Sequence, residues 1–284
     1  PKVSSLLFTP SGDRTWPFPA GAHFRTMAST TAARYTTACA EIGAAPCAAF
    51  LEALRRGDHE AGPTRCDLSH RAGDESSTAI LTDRGVACIA DALSTDAVIT
   101  ELDLSGHALS EVSARHLAHM LERNRAIVKL DLAGNAVQDG GAGAIGRALA
   151  FSGGVAGRVN HSGSGTPGPS VLTTLSLRGC GVGARGIGLL MDNLSRGGAR
   201  VQRLILQDNK LGVAAAKHIA AALPSNRYLR SLSLRFNNIG DEGASALAAA
   251  SSKRQRLPPW GAPPPSSDRF RVSARLLEDG SECG

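Results

Sequence analysis

Aromatic residues make up only 4% of this 284-residue chain. That is too few for the stacking platforms on which proteins lay single-stranded nucleic acid. No run approaches the roughly 20 apolar residues that a membrane-crossing helix requires, so no membrane span is expected. The six cysteines, Cys39, Cys47, Cys66, Cys88, Cys180 and Cys283, contain no Cys-x-x-Cys spacing. Cys66 and Cys88 fall at apolar positions and read as small buried residues, the usage of a reducing compartment. The glycine-rich stretch around residue 165 lacks both the closing Gly-Lys-Ser/Thr of a phosphate-binding loop and the strand that would precede it. His116 and His119 stand one helical turn apart, with no third ligand placed beside them, and read as surface histidines. No nucleophile and base are brought together by any spacing. No enzyme activity, metal or other cofactor is therefore expected. The net charge of +6 is scattered. Only Lys253, Arg254 and Arg256 stand close together, too short a basic stripe for nucleic-acid binding.

What the chain does have is a repeat. Residues 229–247 read Leu229, Leu232, Leu234, Asn237, Ile239, Gly240, Gly243, Leu247. Leu232-Ser233-Leu234 is the period-two run of a strand with one buried face. Asn237 stands at a turn, where its amide can satisfy backbone groups that have left the strand. Gly240-Asp241-Glu242-Gly243 then opens a helix with acids in its first turn. Leu102-Asp103-Leu104, Leu130-Asp131-Leu132, Leu175-Ser176-Leu177 and Leu204-Ile205-Leu206 align with the same pair at offsets of 28, 45, 29 and 28 residues. The turn column reads His107, Asn135, Cys180, Asn209, Asn237. The helix column reads Leu117, Ile145, Leu190, Ile219, Leu247. Such units bury their apolar faces only against one another.

The pattern Leu-x-x-Leu-x-Leu-x-x-Asn-x-Leu-Gly with a helix per repeat resembles the leucine-rich repeat of the ribonuclease-inhibitor type. The resemblance implies an α/β leucine-rich repeat solenoid, a curved body with a parallel sheet on the concave face, helices on the convex face and an N-terminal helical cap. It also implies a binding scaffold, since the fold serves unrelated partners. The constellation Tyr35, Cys39, Gly43, Pro46, Leu54 is similar to the start of some centrosomal and axonemal members.

The expected organisation is an irregular arm over 1–30, a helical cap over 31–65, repeats over 66–250 and a basic, Pro-rich tail over 251–284. Residues 1–40 are rich in Ser, Thr and Ala with Asp13 as their only early acid, a composition resembling organellar transit peptides. No cleavable amphipathic stretch stands out there. In the cap, Thr31–Ile42 and Pro46–Leu54 read as two helices that cover the open end of the first repeat. Cys66-Asp67-Leu68 is a degenerate opening strand, with about eight extra residues before its helix around 71–79. A Gly/Ser-rich insertion occupies 151–169. After Ala250 no capping repeat is legible, and three alternatives stand open: the tail folds back on the last helix, another chain covers the end, or the chain is truncated.

Strand alternation sends the residues between and beside the paired leucines into the concave groove. At its N-terminal end this places Asp67, Asp103 and Asp131 in one column, with Arg65, Glu101 and Lys129 beside them. The C-terminal half carries Arg178, Arg203 and Arg235 and no acid in these columns. Like charges directly opposite are destabilising, so a purely structural scaffold gives no reason to line up the aspartates; the alternative is that Asp is simply common at this position in such repeats and is neutralised by Arg65 and Lys129. The groove is therefore expected to bind a protein segment of opposite polarity, through Asp67, Glu101, Asp103, Asp131, Arg178, Arg203 and Arg235.

A protein partner in a multi-protein complex is expected, in the cytoplasm and on the cytoskeleton or cilium. Two alternatives come from the same repeat class. A regulator of a small GTPase would resemble activating proteins with a long acidic tail, whereas residues 251–284 are basic and Pro-rich. An innate immune sensor would bring a nucleotide-binding module, which these residues lack. Ribonuclease inhibition fits a longer, more acidic, Cys-richer chain.

Overall fold

The structure, a computed structural model, describes residues 20–57, 64–70, 80–151, 170–196, 199–255 and 271–273. Seven parallel strands lie in chain order in one sheet: β1 (Thr64–Asp67), β2 (Ile99–Asp103), β3 (Lys129–Asp131), β4 (Thr174–Ser176), β5 (Arg203–Ile205), β6 (Ser231–Ser233) and β7 (Arg271–Ser273). The helices that follow β1 to β6 are α3 (Asp83–Leu93), α4 (Glu111–Arg123), α5 (Gln138–Phe151), α6 (Ala184–Arg196), α7 (Val213–Ala222) and α8 (Gly240–Gln255). Each packs on the next along the row. Strands sit about 4.8 Å apart and packed helices about 8–10 Å. The row therefore curves with the sheet inside and the helices outside.

The register is the one the Leu pairs imply: Cys66, Leu102, Leu130, Leu175, Leu204 and Leu232 stand opposite one another in turn. All six side chains are buried. Burying a side chain of Leu size is worth about 1.5–3 kcal/mol, and this column continues into the helix column from Leu117 to Leu247.

Two polar columns hold the turns. Asn135 Oδ1 accepts from the His107 and Leu109 amides at 3.1 and 3.0 Å, while its Nδ2 donates to the Leu104 and Leu132 carbonyls at 2.8 and 2.9 Å. Asn209 does the same for Cys180, Val182 and the Leu177 carbonyl, and Asn237 for Asn209, Leu211 and the carbonyls of Leu206 and Leu234. The second column, absent from the sequence argument, lies where each helix returns to the sheet. Asp96, Asn124 and Asn226 each accept from two backbone amides just ahead of the following strand. Asn124 Nδ2 also donates back to the Leu93 and Asp96 carbonyls.

The cap corrects one expectation. Helix α1 runs Ala20–Ile42, so residues 20–30 belong to a helix and not to an irregular arm. Ala20–Ala33 holds no proline, and Ala, Met and Arg favour helix, so the Ser and Thr between them do not break it. Helix α2 runs Ala48–Gly57. Thr31 Oγ1 donates to Asp96 Oδ1 at 2.8 Å, which ties α1 to the second polar column. Tyr35 meets Phe50 edge to face at 4.7 Å between centroids, and its hydroxyl accepts from the Cys47 amide at 2.7 Å. Tyr35 thus locks the two cap helices together.

At the other end β7 pairs with β6, Val272 opposite Leu232. Part of the tail therefore folds back and adds a strand to the sheet edge. Residues 251–255 of the expected tail continue α8 and Phe151 ends α5, whereas residues 1–19, 71–79, 152–169, 256–270 and 274–284 lie outside the described residues.

Candidate protein-binding surface

The groove residues lie where alternation puts them. Arg65, Glu101 and Lys129 are register partners, as are Asp67, Asp103 and Asp131, followed by Ser176, Ile205 and Ser233. The stacked aspartates have a structural use. Asp67 Oδ1 accepts from the Ser69 amide and hydroxyl at 3.1 and 2.8 Å, and Asp103 Oδ1 from those of Ser105 at 3.1 and 2.7 Å. Asp131 Oδ1 accepts from the Ala133 amide at 3.0 Å. Each carboxylate closes the turn that ends its own strand. The repulsion between them is also reduced. Arg65 lies 2.9 Å from Asp67 and 3.6 Å from Asp103, and Lys129 lies 3.6 Å from Glu101.

The basic half differs. Arg178, Arg203 and Arg235 are exposed and form no ion pair among the described residues. The acidic end of the groove is thus largely occupied with its own fold, while among the described residues nothing neutralises the charge of the basic end.

A family model described as Leucine Rich repeat matches residues 123–146, 169–191 and 225–248. Ribonuclease inhibitor of Sus scrofa is 33% identical over 82 residues, 29% of this chain and 18% of that protein. The chain thus carries leucine-rich repeats and is similar over them to proteins of the ribonuclease-inhibitor type. NACHT, LRR and PYD domains-containing protein 5 of Homo sapiens is 38% identical over 93 residues, 33% of this chain and 7% of that protein. The matches thus span less than a fifth of either relative. The solved structure of Leiomodin-1 Actin-Binding Site 2 (ABS2) is 19% identical with a TM-score of 0.40, covering 74% of this chain and 91% of that one.

Two leucine-rich repeats depart from asparagine at the turn, and the structure explains both. Cys180 donates its thiol proton to the Leu132 carbonyl at 3.0 Å, the bond an amide would have made. Burial pushes this thiol up to about 12, so it remains a protonated donor. His107 donates from Nε2 to the Leu68 carbonyl and accepts at Nδ1 from the Leu81 amide at 3.0 Å, the two bonds requiring the neutral ring.

Burial holds the His107 imidazole below its ordinary value of about 6.5, helped by nearby His70 and opposed by the Leu68 carbonyl and Asp103. A histidine kept neutral by folding contributes stability that is complete above the unfolded value. That contribution is lost as pH falls through it toward the folded value. The melting temperature is expected to drop between pH 7.5 and pH 5.5, and His107→Asn, which cannot charge, should show a smaller drop. Equal drops in both proteins would remove His107 from the pH response.

His119 Nδ1 lies 3.2 Å from Glu122, and His116 is exposed on the convex side. Among the described residues no three His, Cys, Asp or Glu side chains are grouped to hold a metal, and no helix is long and apolar enough to cross a membrane.

Proposed function

We propose that the protein is a non-catalytic scaffold or adaptor that docks a protein segment along its concave sheet, within a larger cytoplasmic assembly on the cytoskeleton or cilium. The observation that carries the reading is the charge layout of the groove. One end holds Asp67, Glu101, Asp103 and Asp131 partly paired with Arg65 and Lys129, and the other holds Arg178, Arg203 and Arg235, which form no ion pair among the described residues. A segment with its acidic part over the arginines gains three cations without first breaking an ion pair, so the basic end should dominate attraction and the acidic end orientation. The partly buried Asp103 favours a basic residue there.

The test is affinity capture of the tagged chain from its native cells, beside a version carrying Asp103→Lys and Asp131→Lys. Both substitutions also remove a turn acceptor, so circular dichroism and melting must first establish the fold. A stable set of partners reduced severalfold in the folded variant supports the groove; the same partners retained in full would place binding elsewhere. A GTPase as the sole partner would instead make the chain a regulator. The similarity to NACHT, LRR and PYD domains-containing protein 5 supports a second reading, the repeat portion of an innate immune sensor.

A further inference from the structure

The residue before the turn column lies in the left-handed region in each repeat from β2 to β6: Gly106 at φ 82°, Gly134 at 68°, Gly179 at 60°, Asp208 at 58° and Phe236 at 57°. Glycine adopts this conformation freely and aspartate at modest cost, but a bulky aromatic residue there is an outlier. Packing does not offset the strain, because Phe236 is 48% exposed. A residue held in strain at the surface without burial points to a use outside the fold. Beside it, the Arg235 guanidinium stands 5.3 Å from the centroid of the Phe236 ring and makes no ion pair among the described residues.

We propose that Arg235 and Phe236 form an anchor at the rim of the concave sheet for an acidic segment of a partner protein, one that sets an apolar side chain beside a carboxylate. The proposal rests on the scaffold reading and gives the chemistry recognised at the basic end of the groove. A guanidinium over an aromatic face keeps its edge donors free, and those donors match the two oxygens of a carboxylate. The other face of the ring offers apolar contact to the neighbouring residue of the segment. Aromatic residues and arginine are the side chains that most often dominate binding interfaces.

Arg178 extends the site. It stands in the same row two strands away, a distance of about 10 Å, with Gln207 between them. Gln207 is tied to the Ser233 hydroxyl at 2.7 Å, and among the described residues the two arginines are the row's cations. A segment in polyproline II conformation rises about 3.1 Å per residue and presents every third residue on one side, so two acids three apart fit Arg178 and Arg235 together.

The probe is a fluorescein-labelled peptide of four Glu-Leu-Pro triplets, titrated with the full chain and followed by anisotropy, with Lys-Leu-Pro triplets as control. The acidic peptide should bind and the basic one should not. Arg235→Glu should weaken binding at least tenfold. Phe236→Gly separates a functional residue from a tolerated one: it should raise the melting temperature by about 2 °C, as strain is relieved, and still weaken binding about tenfold. A Phe236→Gly protein that melts higher and binds as before overturns the anchor, as does a wild-type chain that ignores the acidic peptide.

The chain also contains Leu276-Leu277-Glu278-Asp279, a sequence of the same chemistry. A tenfold gain in peptide affinity on removal of residues 274–284 would make that segment the occupant and overturn the assignment to a partner. Loss of captured partners in the Asp103→Lys, Asp131→Lys protein tests the groove separately. Peptide results that fail while capture remains sensitive to those two residues count against the anchor alone.

Discussion

Replacing Asn135 by alanine is expected to lower the unfolding stability by about 4 kcal/mol. The side chain is buried and all of its hydrogen-bonding capacity is in use: two backbone amides donate to it, and it donates to two carbonyls on adjacent strands. Alanine leaves these groups without partners, and each unsatisfied buried group costs about 1–3 kcal/mol before any water enters. Asn135→Asp keeps the two accepted bonds but sets a carboxylate against the Leu104 and Leu132 carbonyls, so it should be no better. Asn237→Ala should cost less, about 1–2 kcal/mol, because that side chain is only half-buried and water can replace it. Urea titration of the three variants measures the order. A loss under about 1 kcal/mol for Asn135→Ala would mean that the turn column contributes little to joining the repeats.

Gly106→Ala should be nearly as damaging, at about 3 kcal/mol or more, while Gly134→Ala one repeat on should cost only about 1 kcal/mol. Both glycines are in the left-handed region, so both substitutions carry the conformational cost. They differ in their surroundings. A Cβ on Gly106 would stand 2.0 Å from the His70 carbonyl oxygen, whereas the nearest atom to a Cβ on Gly134 is 3.7 Å away. The obstacle at Gly106 is backbone, which cannot rotate aside. The loop carrying His70 must move, and with it the bonds from the His70 amide to the Ser105 carbonyl and from His107 to the Leu68 carbonyl. Thermal melting of the two variants checks the contrast. Equal losses would show that the opening repeat is free to yield at this point.

The repeat was legible because each feature that builds it is local or periodic. The Leu pairs, the turn column and the helix column recur at one spacing, and parallel pairing with no slip then follows from burying the same face of every strand. The groove columns followed from the same alternation. Where the turn column broke, the sequence offered no reason. His107 and Cys180 look like defects until the Leu68 and Leu132 carbonyls are seen to receive their protons. Asp96, Asn124 and Asn226 were missed, although 96 and 124 stand one period apart. They lie outside the leucine pattern, and a lone polar residue in a loop carries no signal without the amides it faces.

Sequence by itself determined the repeat, the parallel register and the sets of residues that share the concave face, because period and alternation are properties of the chain alone. Tertiary structure decided what those residues do to one another. It showed that the aspartate column closes turns and is partly neutralised by Arg65, while the arginines at the far end form no ion pair among the described residues, since pairing depends on distances across strands. It placed residues 271–273 on the open sheet edge, a contact between segments with no shared pattern. It also revealed Phe236 as an exposed aromatic in a left-handed conformation, because backbone strain is set by the turn that the neighbouring repeats impose and not by the residue that occupies it.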